Sequence, residues 1–127
     1  MATIKSYTDI EQSRKLAEIL PLDSADNYYS WHDERYYVVN KDCPYPYSLK
    51  EKIPSWSLAA LLNVLPRSIE FKDDKYYLRF MKDYVEYAND EVSITGRCLH
   101  TTGNNNLVDA SYEMILKLHE HKMLNKC

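Results

Sequence analysis

Apolar residues recur at helical spacing in three segments of the chain. The first segment predicts a helix over about residues 9 to 20, with Thr8 and Glu11 spaced as a capping box and Pro21 ending the helix. Its apolar positions recur at steps of three and four residues and are Ile10, Leu16, Ala17, Ile19 and Leu20. The last segment predicts a helix over about residues 106 to 123, with Asn105 or Asn106 as its N-terminal cap.

The middle segment, IPSWSLAALLNVLP at residues 53 to 66, is the most apolar run of the sequence. Ser55 can cap a helix over about residues 56 to 65, whose leucines mark one face while alanines fill much of the rest. A helix that is apolar nearly all round is normally buried. Ten residues extend roughly 15 Å, half of a bilayer core, so the segment is too short to span a membrane. We therefore expect this helix at the centre of the protein core, with a docking surface as the alternative.

Two other regions contain the aromatic and β-branched residues that are typical of strands. NYYSW and RYYVVN, between residues 27 and 40, predict a hairpin with a polar turn at 32 to 34. After Pro66, further strands are predicted in SIEF, YYLRFM, YVEYA and VSITGRCL, with short polar turns between them. Alternation within YYLRFM predicts two opposite rows of side chains, one with Tyr76, Leu78 and Phe80 and the other with Tyr77, Arg79 and Met81.

These patterns together predict an α+β fold. We expect a single domain over residues 1–127, with an antiparallel meander of about four to six strands packed against the three helices. A chain of 127 residues is the usual size of one domain, and its 45% hydrophobic and 28% charged residues are ordinary for a globular protein. KDCPYPYSLKEK, at residues 41 to 52, predicts a loop because its two prolines remove backbone donors.

Charge and composition narrow the expected partners. A net charge of -3, from 16 basic and 19 acidic residues, supplies no general basic field, so nucleic acid is not expected as a partner. The N-terminal sequence has no signal-peptide pattern and no run reaches about 18 apolar residues, so neither secretion nor membrane association is expected. Three dispersed cysteines without a CxxC pair favour a reducing cytoplasm.

An aromatic group between residues 28 and 47 is the main candidate for binding. Tyr and Trp provide large contact area at low entropy cost, so the group could bind a protein partner. It could also stack against a planar small molecule such as a nucleotide. The alternative is ordinary cross-strand packing of aromatic rings. The candidate residues are Tyr28, Tyr29, Trp31, His32, Tyr36, Tyr37, Tyr45 and Tyr47.

No spacing in the sequence predicts a catalytic or metal centre, so we expect no cofactor and rank a hydrolytic enzyme last. His119 and His121 are two residues apart on a predicted helix and point in nearly opposite directions, so they cannot bind one metal ion together. Cys98 and His100 could face the same way, but a catalytic pair also needs an orienting group and an oxyanion donor.

Three segments resemble, in the same order, a family of small uncharacterised proteins from prophages and mobile elements of gut bacteria. They are YTDIEQSRKLAEILPLDSAD, IPSWSLAALLNVLP and NNNLVDASYEMILKLHEHKML. The resemblance implies a cytoplasmic accessory protein of a mobile element and identifies no functional residues. The leading expectation is a non-enzymatic protein that binds another protein through the tyrosine-rich surface. The alternative is a small-molecule or nucleotide-sequestering protein, and either could be a monomer or a homodimer.

Overall fold

The predicted helices and strands occur in the predicted order, with one additional strand before the second helix. The computed structural model describes residues 5–32, 35–40, 53–81, 84–89, 97–101 and 106–124. The predicted loop at 41 to 52 lies outside these ranges. The elements are α1 (Ile10–Ala17), a 3-10 turn (Leu22–Ser24), β1 (Asn27–His32), β2 (Arg35–Asn40), β3 (Ile53–Ser55), α2 (Leu58–Val64), β4 (Ser68–Phe71), β5 (Asp74–Phe80), β6 (Val85–Ala88), β7 (Arg97–His100) and α3 (Leu107–Glu120).

The capping box of α1 lies one residue later than predicted. Asp9, not Thr8, is the N-cap: its carboxylate accepts from the Gln12 backbone N–H at 2.8 Å, and the Gln12 side chain accepts from the Asp9 N–H at 3.1 Å. Thr8 is fully buried, and its hydroxyl accepts from the Trp56 backbone N–H at 3.2 Å. The prediction was wrong because the Thr8 hydroxyl does not cap the helix: it pairs with the Ser13 hydroxyl within α1 at 2.7 Å and with the backbone of the distant Trp56.

The other two helices also start at a polar cap. Ser57 caps α2 by accepting from the Ala60 N–H at 3.2 Å, whereas the predicted cap, Ser55, is the last residue of β3. The carboxylate of Asp26 fixes Ser57, accepting from its backbone N–H at 2.9 Å and pairing with its hydroxyl. Asn106 caps α3, which confirms the predicted start of that helix.

The described strands form two antiparallel sheets instead of one continuous meander. The first has the order β2-β1-β3 and the second, which is curled, has the order β4-β5-β6-β7. The predicted hairpin is β1 and β2, with Tyr29 opposite Val38. Sequence patterns did not predict β3 because it contains Pro54, but β3 lies at the edge of its sheet, where a missing N–H is tolerated. The fold is α+β, as predicted.

The apolar middle segment lies in the core, which confirms its predicted position. Trp56 and Leu61 have 0% exposure, and Leu65 is 4% exposed. Helix α2 packs on α3, which in turn covers the second sheet at β6 and β7. Leu58 and Leu62 are only partly buried at the boundary of this core. Among the described residues, no helix has both the length and the apolar character needed to cross a bilayer.

A polar cluster around Asp109 joins the N-terminal segment, α1 and α3. One carboxylate oxygen accepts from Lys5 Nζ at 2.7 Å and from Gln12 Nε2 at 2.9 Å, and the other accepts from Asn106 Nδ2 at 2.8 Å. Partial burial opposes ionisation of Asp109, but these hydrogen bonds outweigh it and hold the pKa of the carboxyl below its usual value. The cluster therefore makes a contribution to the stability of the fold that depends on pH.

Replacing Asp109 with asparagine should lower the free energy of unfolding at neutral pH by about 1 to 3 kcal/mol, because charge-assisted hydrogen bonds are lost. A carboxyl whose folded-state pKa is lowered stabilises fully above its unfolded-state pKa, near 3.8, and loses this effect as pH falls through the folded-state value. The difference between the native protein and Asp109→Asn should therefore shrink below about pH 4. Urea denaturation measured across pH tests this.

Asp23, an exposed residue of the 3-10 turn, provides the matched control. Asp23→Asn should leave the free energy of unfolding within about 0.5 kcal/mol of the native value at neutral pH. A pH-independent difference between the native protein and Asp109→Asn would contradict the assigned role of the ionised carboxylate.

Candidate functional site

The predicted tyrosine group is divided between the two faces of the first sheet. Neighbouring strand residues point to opposite faces, so Tyr28 and Tyr29 lie on different sides of β1. Both are buried, with exposures of 7% and 8%. The Tyr29 hydroxyl donates to the Thr8 carbonyl oxygen at 2.6 Å, and burial, with the nearby Tyr7 and Asp9, raises the pKa of Tyr29 to about 12. Neither ring offers much surface to a partner.

The remaining predicted residues have different surroundings. Tyr36 packs edge-on against Tyr29, with ring centroids 6.4 Å apart, which is the cross-strand packing given above as the alternative. Tyr37 is exposed at 38%. Trp31 and His32 belong to β1, but their side chains lie outside the described part of the structure, as do Tyr45 and Tyr47 entirely. Within the described part, the predicted group therefore does not form one continuous surface.

Exposed apolar side chains concentrate instead on the second sheet. Seven large apolar side chains of the described residues are exposed, and four of them belong to β4, β5 and the residue that follows β5. These four are Phe71, Tyr77, Phe80 and Met81. Tyr77 and Met81 share one face of the sheet, whereas Phe71 and Phe80 belong to the alternate row, so the four side chains are divided between the two faces.

One face of β5 carries a row of exposed residues, Lys75, Tyr77, Arg79 and Met81, which we call the β5 stripe. Tyr77 and Met81 are 51% and 57% exposed. Tyr76 and Leu78, which alternate with the stripe, face the core. The alternation predicted for YYLRFM is therefore observed, although Phe80, at the end of the inward row, is 48% exposed.

Small neighbours leave the Tyr77 ring accessible. Ser68 on β4 and Ala88 on β6 lie directly opposite Tyr77 in the two ladders. A depression of about 410 Å³ lies along this face, between Tyr77, Arg79, Ala88 and the turn that joins β4 to β5. Lys75 Nζ is 5.7 Å from the centroid of the Tyr77 ring, close enough for a cation–π interaction. The stripe thus combines a basic charge with an apolar ring on a strand that is paired on both sides.

A second depression, of about 490 Å³, lies on the opposite, inner side of β5. It is bounded by the residues that follow α1, the C-terminal end of α2, the inner face of β5 and the residues after α3. We call it the leucine groove, because its walls include Leu20, Leu62, Leu65, Leu78 and Leu124. Sequence patterns did not predict this groove, since it is formed by segments far apart in the chain.

Three of the candidate catalytic and metal-binding residues, His100, His119 and His121, have described side chains. The His100 ring packs against Tyr84 with centroids 5.0 Å apart, and the side chain of Cys98 lies outside the described residues. His119 and His121 are both exposed near the C-terminal end of α3. No group of three or more His, Cys, Asp or Glu side chains suited to a metal ion occurs among the residues that the structure describes.

Comparisons with protein-family models, curated proteins and solved structures gave no match. The two surfaces on either side of β5 are the candidate binding sites. The β5 stripe presents exposed Tyr, Arg and Met side chains, and the leucine groove presents a concave wall in which Ser24, Asn63 and Arg67 accompany the apolar residues.

Proposed function

We propose that this protein is a non-enzymatic accessory protein of a phage or mobile element that acts in the cytoplasm by binding another protein through the β5 stripe. The observation that carries the binding function is the exposed row of Tyr77, Arg79 and Met81 on one face of β5. Tyr, Arg and Met are enriched at protein interfaces, and Tyr and Arg are common among the residues that dominate binding energy. The mobile-element context is supported by the sequence resemblance.

Because of the position of the stripe, the protein should lose little conformational entropy when a partner binds. Strand β5 pairs with β4 on one side and β6 on the other, so its backbone is fixed before a partner arrives. Rigid presentation reduces the conformational entropy that association would otherwise lose. Lys75 lies directly opposite Glu70, and Arg79 lies directly opposite Glu86, so this face carries charges of both signs. We therefore expect the partner to present an apolar surface to Tyr77 and Met81, with polar groups around it.

Replacing Tyr77 with alanine should weaken partner binding by at least about tenfold, because truncation of a central aromatic contact commonly costs 2 kcal/mol or more. The partner can be identified by quantitative affinity capture from host extract with mass spectrometry. Calorimetry with the purified partner then gives the dissociation constant of the native protein and of each variant.

Tyr37→Ala is the matched control, because it truncates an exposed tyrosine of the other sheet. It should leave binding within about twofold of the native value, and thermal denaturation should show that both variants remain folded. Loss of binding in Tyr37→Ala but not in Tyr77→Ala would move the interface to the first sheet. Failure of the native protein to retain any partner would contradict the proposed function.

A further inference from the structure

The leucine groove has the volume of a small-ligand site. Its volume of about 490 Å³ lies within the range of roughly 300 to 1,000 Å³ that is common for small-molecule pockets. Its apolar walls come from both ends of the chain: Leu20 follows α1 and Leu124 follows α3. Leu62 and Leu78 are only partly buried, so they retain apolar surface that faces the groove.

A single basic side chain lies at the edge of this apolar surface. Arg67, between α2 and β4, lines the groove and is exposed. Its guanidinium forms no ion pair with a carboxylate among the described residues. Two hydrogen bonds fix the backbone here, because the Arg67 carbonyl accepts from the Leu78 N–H at 3.0 Å and the preceding Pro66 carbonyl accepts from the Tyr87 hydroxyl at 2.7 Å. The exposed Arg67 side chain therefore extends from a fixed backbone position at the groove.

We propose that the leucine groove binds a medium-chain fatty acid, with the acyl chain along the leucine walls and the carboxylate paired with Arg67. An unbranched chain has no polar groups that the leucine walls would leave without hydrogen bonds. A guanidinium matches a carboxylate in both charge and geometry, since it can donate two parallel hydrogen bonds. This inference goes beyond the proposed protein-binding function, because the groove and the β5 stripe lie on opposite faces of β5.

Isothermal calorimetry with decanoate tests this proposal on the full chain. We expect one decanoate to bind per chain, with 1-decanol, which has the same chain length but no charge, binding about tenfold more weakly. Arg67→Gln should weaken decanoate binding by about tenfold and leave 1-decanol binding unchanged. Arg14→Gln, which removes an exposed arginine of α1, is the matched control and should bind decanoate as the native protein does.

Native mass spectrometry of the protein purified from its host gives a second measurement, in which a retained fatty acid would add its mass to the chain. Thermal denaturation should show that Arg67→Gln remains folded, because Arg67 is exposed. Absence of decanoate binding by the native protein would overturn the proposal. Equal affinity for decanoate and 1-decanol, or equal loss in Arg67→Gln and Arg14→Gln, would also overturn it, because Arg67 would then have no specific role.

Discussion

Replacing Trp56 with alanine should lower the free energy of unfolding by about 3 to 5 kcal/mol, the largest single effect that we expect in this protein. The Trp56 side chain has 0% exposure, and its indole Nε1–H donates to Ser24 Oγ at 3.0 Å. Truncation removes this hydrogen bond and leaves a cavity that the surrounding core can fill only in part. Urea denaturation followed by far-ultraviolet circular dichroism measures the change.

Trp56→Phe separates packing from hydrogen bonding. Phenylalanine retains an aromatic ring but cannot donate to Ser24, so the loss should be smaller, about 1 to 2 kcal/mol. A loss below about 1 kcal/mol for Trp56→Ala would contradict the central position of this residue, since large core aromatics cost more when truncated.

The sequence predicted that the central segment is buried, but it did not predict the residue at which the helix begins. A short run of Leu, Ala and Trp leaves no polar face, so burial follows from composition alone. The helix start depends on distant partners: Asp26 fixes Ser57, and the Thr8 hydroxyl accepts from the Trp56 N–H. These contacts hold Trp56 outside α2, and local capping patterns contain no information about them.

Strand pairing likewise depends on contacts between distant segments, which local sequence patterns do not contain. The residue types of NYYSW, RYYVVN and SIEF favour strands wherever they occur, and each segment is a strand in the structure. These segments belong to two different sheets, and the first sheet also contains β3, a strand of three residues that pairs with β1 across the predicted loop region. A strand this short, with Pro54 at its centre, has too little local signal to be predicted.

Composition predicted a candidate surface in one place, whereas periodicity predicted the two rows of β5 without identifying either row as a surface. The tyrosines near residue 28 suggested a contact surface, but residue type alone could not show that Tyr28 and Tyr29 are buried. Alternation in YYLRFM predicted the row of Tyr77, Arg79 and Met81, because strand geometry fixes which residues share a face. The leucine groove could not be predicted, since its walls meet only when the chain folds.

Two neighbouring leucines of α2 have contrasting environments. Leu61 is fully buried in the core between α2 and α3, with 0% exposure. Leu62 is partly buried and lines the leucine groove. Both are interior residues of the same helix, so a change from leucine to alanine alters helix propensity by a similar small amount at each position. Any large difference in the free energy of unfolding between the two variants is therefore due to the different burial of the two side chains.

Leu61→Ala should lower the free energy of unfolding by about 3 to 4 kcal/mol, and Leu62→Ala by about 1 to 2 kcal/mol. The first substitution opens a closed cavity, whereas the second enlarges a groove that solvent already reaches, so it carries little cavity penalty. Urea denaturation of the two variants under identical conditions measures both values. Equal losses would mean that α2 presents a different face to the core, and the leucine groove would then not have the walls described above.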